Sequence, residues 1–199
     1  MAKELETATH TLAGVPIDRA KQMTSRMALQ LATHSIHQRL HQHPGLARLA
    51  AGTIGRDEYR RLLGRSYGFY SVAEPLVDIS RGLTNCLAED LIDLGMTCTE
   101  VSGLPRSLLM KISDGHAERI GIRYVFLGAS LGGKVMARAI ARREAKLPIR
   151  FLTSQGDAAW KNFTADLEVN LPDVASRTQA ATAALVTFAA YEDWMAGHE

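Results

Sequence analysis

The chain has only two cysteines, Cys86 and Cys98, and they do not stand at CxxC spacing. That is too few for a disulfide scaffold and points to a reducing cytoplasmic setting. It also lacks any uninterrupted apolar stretch of roughly 18 residues, and its start, MAKELETATHTLAG, contains no apolar run of the kind a signal segment needs. An unanchored protein with no membrane partner is therefore expected. A formal net charge of +2 supplies no broad basic field, so nucleic acid is not an expected partner. Alternating β-branched runs are almost absent, as are internal repeats and low-complexity segments, so the expected class is all-α.

The 199 residues fit one ordinary domain. The polar first 15 residues, with Gly14 just before Pro16, read as a flexible arm, leaving 16–199 as the helical domain. A first helix is expected from an N-cap at Asp18 to about Gln42, stopped by His43-Pro44-Gly45. The second is read from Tyr59, Leu62, Leu63, Ser66, Phe69, Tyr70, Ala73, Leu76 and Val77, which form one stripe at helical period, with Pro75 kinking or restarting it. Further helices are expected over 84–94, from Pro105 onward, over 113–146, over 157–169, and over 172–196 with Ala181, Leu185, Phe188 and Met195 on one face.

Two features stand out. The first is THSIHQRLHQHPG, which holds four of the seven histidines. His34, His37 and His41 are three and four residues apart and share a helix face, while His43 lies past the helix end. Three readings fit: a solvated polar face, a transition-metal site, or a single histidine serving as axial ligand of a haem. Three imidazoles along one helix converge poorly on tetrahedral geometry, and no cysteine or HExxH lies nearby. The second feature is GASLGG, with Gly128, Gly132 and Gly133 inside the longest expected helix. Each glycine in a helix interior costs about 1 kcal/mol against alanine, so three of them imply a kink or a close approach of backbone to something. Tight helix-to-helix packing is one such approach. A flat ligand, let in by the missing Cβ atoms, is another.

Two segments resemble the haem oxygenase family, and its bacterial biliverdin-forming members more than the animal ones. ATHSIHQRLHQHPGLARLAAGTIGRDEY, residues 32–59, resembles the family's proximal helix and the turn after it; RYVFLGASLGGKVMARAI, residues 123–140, resembles the distal helix. A weaker match follows at AAWKNFTADLEV. The resemblance implies an all-α fold with haem between the first helix and a glycine-bent distal helix, His37 as iron ligand, and Gly128, Gly132 and Gly133 as the catalytic distal contact. Haem would be both cofactor and substrate, opened with dioxygen and external electrons to biliverdin, carbon monoxide and iron. A ferredoxin or an NADPH-dependent reductase is the implied donor, and a bilin-binding photoreceptor a possible consumer of the product.

Among the residues that hold the haem propionates in the family, Lys161 matches one position and Arg123 stands where the animal enzymes have tyrosine; Arg26 shares the His37 side of the first helix. Gln30 and Ala165 replace cations of the animal enzymes. Ala129 replaces their distal aspartate, which motivates an alternative: a haem-binding or haem-carrying protein that does not turn its ligand over.

Overall fold

The computed structural model of the chain describes residues 11–12, 15–16, 23–77, 82–108, 112, 114–143 and 146–197. The N-terminal arm expected over 1–15 lies outside these residues except where β1, Thr11–Leu12, pairs antiparallel with β2, Val15–Pro16. Asp18, the expected N-cap, also lies outside them.

Helix α1 is Ser25–His41, and Thr24 caps it by accepting from the Met27 N–H at 3.2 Å. A carboxylate reaches the same end from far along the chain. Glu168 accepts from the Ser25 backbone N–H at 2.7 Å and from the Ser25 hydroxyl at 3.0 Å. Donors at a helix start have no partner inside the helix, so these contacts fix where α1 begins and tie it to a distant segment. Replacing Glu168 with alanine is expected to cost about 1 to 2 kcal/mol, the range for losing a cap, read as a lowered thermal midpoint.

The HPG stop becomes a restart. The His43 ring accepts from the Leu46 N–H at 3.4 Å, and Pro44 opens α2, Pro44–Ala50. Gly52 follows at φ +68°, in the left-handed region, where a Cβ would also meet the Ala139 carbonyl oxygen at 2.5 Å. The expected apolar stripe forms α3, Arg56–Ala73, and Pro75 falls in a 3-10 turn, Glu74–Leu76. The Glu74 carboxylate then accepts from the Leu83 and Thr84 N–H groups at 2.5 and 2.9 Å, at the start of α4, Leu83–Asp93. A short α5, Cys98–Ser102, carries a capping box between Thr97 and Glu100.

The helix expected from Pro105 does not form over the described residues 105–108. This stretch runs along α3 instead: the Ser107 N–H donates to the Gly68 carbonyl at 3.1 Å, and the Pro105 carbonyl lies where a Cβ on Gly68 would stand. Helix α6, His116–Arg142, continues through all three distal glycines without a break. It is followed by α7, Arg150–Thr153, α8, Asp157–Ala165, α9, Leu167–Asn170, and α10, Val174–Ala196.

Helix α10 is the spine, with α1 and α6 both packed along it. The middle of its buried face is made of small residues, Ala180, Ala181, Ala183 and Ala184, and Gly121 of α6 sits against the Ala180 carbonyl. Small side chains let three helices approach closely. The Phe69, Tyr70, Phe126 and Tyr191 rings contact one another where α3, α6 and α10 meet. The fold is all-α, and among the described residues no helix is long and apolar enough to cross a membrane.

Candidate functional site

Because α1 and α6 lie side by side on α10, a cavity of about 600 Å³ opens between them. That volume falls within the roughly 300 to 1,000 Å³ of small-molecule and cofactor sites. The helix α1 wall carries Arg26, Gln30, His34, His37 and His41, and the α6 wall carries Gly128, Ala129, Leu131, Gly132 and Met136. Phe69 and Tyr70 from α3, Phe188 and Tyr191 from α10, and Phe151 and Leu152 from α7 also line it.

Spacing explains the imidazole wall. With about 3.6 residues per turn, positions 34, 37 and 41 fall on one face while Ile36 and Leu40 turn into the core. The His37 ring meets the His41 ring edge-to-face at 4.5 Å between centroids, and Phe188 in the same manner at 6.0 Å. Partial burial, and then the neighbouring His41 and His34, hold the His37 imidazole below its ordinary 6.5. At neutral pH His37 is therefore uncharged, with a lone pair free to coordinate. Among the described residues no three His, Cys, Asp or Glu side chains are grouped as a metal-ion cage.

The three distal glycines do different things. A Cβ on Gly132 would meet nothing within 4 Å, so this position opens onto the cavity it lines. One on Gly128 would make ordinary contact with the Trp160 ring, 3.7 Å away. One on Gly133 would stand 2.7 Å from the Leu152 carbonyl oxygen, so its lack of a side chain is what lets α7 lie against α6. The packing and ligand readings of the motif each hold for a different glycine.

Of the cations singled out in the sequence, only Arg26 lines the cavity. Arg123 and Lys161 are absent from its walls, while their chain neighbours Tyr124 and Trp160 are present. Arg123 stacks over Phe163 with its Cζ 5.8 Å from the ring centroid, and its buried Nε has no hydrogen-bond partner among the described residues. Lys161 is exposed.

Tyr124 was not anticipated. Burial raises its phenol, opposed by a hydrogen bond with Thr33 of α1 and by the charge of Arg26, so this end of the cavity is polar. The floor has its own hydroxyls. Ser66 donates to the Leu62 carbonyl at 3.0 Å and lies 3.3 Å from the Tyr191 hydroxyl. A serine inside an otherwise apolar stripe was the one sequence signal for this pair. On the α6 wall, the Ser130 hydroxyl donates back to the Leu127 carbonyl at 2.6 Å, and the Ala129 side chain offers no polar atom.

No family model matches the chain. A comparison with characterised proteins finds a relative named heme oxygenase from Xanthomonas campestris pv. campestris (strain 8004), 30% identical over 163 residues that cover 74% of this chain and 94% of that protein. Identity at that level over nearly the whole relative, joined to an all-α fold with a cavity between the His37 helix and the glycine-bearing helix, makes the chain a member of the heme oxygenase family.

Proposed function

We propose that this chain is a biliverdin-forming haem oxygenase of the bacterial type, taking haem into the cavity between α1 and α6. The observation that carries the reading is the pairing of two walls around one largely apolar space. One wall offers a neutral imidazole, His37, and the other has no side chain at Gly132. A flat, mostly apolar ligand with an iron centre and acidic groups fits this donor set. Haem, when bound, supplies the iron at which dioxygen is activated and the ring that is opened to biliverdin, carbon monoxide and ferrous iron, with electrons from an external donor such as a ferredoxin or an NADPH-dependent reductase.

The chain's own residues bind, orient and exclude water. His37 is the proposed iron ligand; a neutral imidazole holds iron without the strong electron donation of a thiolate. Gly132 leaves room for close approach from the α6 side, so orientation is set by backbone and not by an acid or base. Arg26, beside Tyr124, is the proposed partner for one acidic group of the ligand. Arg123 and Lys161 serve that purpose only by swinging toward the cavity from where they now lie. Phe69, Phe126, Phe188 and Leu152 keep the floor dry.

Hemin added to the purified protein should give an imidazole-ligated Soret band. Under oxygen with a reductant and donor proteins, that band should be replaced by biliverdin absorption. Ala129 and the self-satisfied Ser130 hydroxyl favour the carrier alternative, for which hemin binds and persists intact through the same treatment. Failure to bind hemin above the level of an unrelated protein would overturn both.

A further inference from the structure

The proximal wall holds more imidazole than one iron needs. We propose that His41 is a second imidazole donor for the same iron, able to hold it in place of His37. This rests on the haem reading above. Of the four clustered histidines, His43 is committed, because its ring accepts from the Leu46 N–H at the start of α2. His34, His37 and His41 all line the cavity, and among the described residues none of their rings has a hydrogen-bond partner.

That last fact sets this site apart from most metal sites. A coordinating histidine almost always gives its other ring N–H to a carboxylate or carbonyl, which fixes the ring and strengthens its hold on the metal. His37 lacks that anchor among the described residues, and its nearest aromatic neighbour is another potential ligand, the His41 ring at 4.5 Å. The two imidazoles sit one turn apart, so transfer between them asks for a slide of about 6 Å along the helix. His34 lines the same wall one turn earlier but makes no ring contact with His37. His41 is exposed in the last turn of α1, and of the wall's other imidazoles it is the one whose ring lies against that of His37. The exchange is a substitution at unchanged iron oxidation state: one nitrogen–iron bond forms as the other breaks, and no proton or electron is consumed.

The test is a ferric hemin titration, followed by absorption and electron paramagnetic resonance, of the full chain, His37→Ala, His34→Ala/His37→Ala and His37→Ala/His41→Ala. His37→Ala should keep an imidazole-ligated spectrum with hemin affinity within about tenfold of the parent. The variant lacking His41 as well should lose that spectrum and regain it on addition of free imidazole, which shows that its cavity is intact. Identical spectra for His37→Ala and His37→Ala/His41→Ala overturn the proposal, as does loss of ligation only when His34 is removed. If the parent itself gives no imidazole-ligated hemin, the haem reading has failed first, so the two failures are told apart.

Discussion

Alanine at Gly132 is expected to raise the thermal midpoint of the ligand-free protein and to weaken its hold on hemin, while alanine at Gly133, one residue on, lowers the midpoint. Both residues lie in the same unbroken helix, so both substitutions gain about 0.8 to 1 kcal/mol of helix propensity. What differs is the space beside each. At Gly132 the added methyl meets nothing within 4 Å, the propensity gain stands, and the methyl projects into the space where the ligand is proposed to lie. Hemin affinity should fall by about tenfold, equivalent to roughly 1.4 kcal/mol. At Gly133 the methyl stands 2.7 Å from the Leu152 carbonyl oxygen and 3.3 Å from the Leu152 Cα, both backbone atoms that cannot rotate away. Overpacking of this kind costs about 1 to 3 kcal/mol, more than the propensity returns. Alanine at Gly128 meets the Trp160 ring only at ordinary contact distance, so there too the propensity gain should stand and the midpoint should rise. Thermal melts with and without hemin separate the three, and a common sign for Gly132→Ala and Gly133→Ala in the ligand-free melts would refute the division of the motif.

That division marks where sequence reasoning stops. Spacing alone places His34, His37 and His41 on one face, because a helix has a fixed angular step, and the stripe from Tyr59 to Ala73 is buried as its period requires. Whether a glycine faces a ligand or a neighbouring backbone depends on what packs there, and α7 comes from another part of the chain. Arg123 and Lys161 lie off the cavity walls for a related reason: a family position names a residue, and what packs around it, as Phe163 does around Arg123, decides where its side chain goes. The helix expected from Pro105 carries suitable apolar spacing, yet the Ser107 N–H is taken by the Gly68 carbonyl, a tertiary bond that local pattern does not encode. Glu89, Asp90 and Asp93 look interchangeable in the sequence, and their roles separate only when α7 is docked.

Asp90 is where the second large effect is expected. It is fully buried, whereas Glu89 and Asp93 are exposed. Its two carboxylate oxygens accept from the Arg150 and Phe151 N–H groups at 3.2 and 2.9 Å, and the Arg150 guanidinium adds a contact at 3.3 Å. A carboxylate of α4 thus satisfies the first donors of α7, the short helix whose Phe151 and Leu152 wall the cavity and whose backbone rests on Gly133. Asp90→Ala leaves two backbone donors without partners, at about 1 to 3 kcal/mol each, so the variant should lose roughly 2 to 4 kcal/mol by denaturant unfolding. Asp90→Asn keeps one acceptor and should lose about half of that. The two variants also expose a pH effect of defined sign. Burial pushes the Asp90 carboxyl above its ordinary value, a shift that its hydrogen bonds and Arg150 reduce without reversing. A raised value in the folded state means that the native protein binds more protons than the unfolded chain across the interval between the two, so this group's contribution falls as pH rises through that interval. The difference in unfolding free energy between parent and Asp90→Asn should therefore shrink as pH climbs from the unfolded aspartate value of about 3.9 to the raised native one and be flat beyond it. A difference that grows over that interval would mean that the backbone donors and Arg150 outweigh burial, and that Asp90 is held as a stabilised anion.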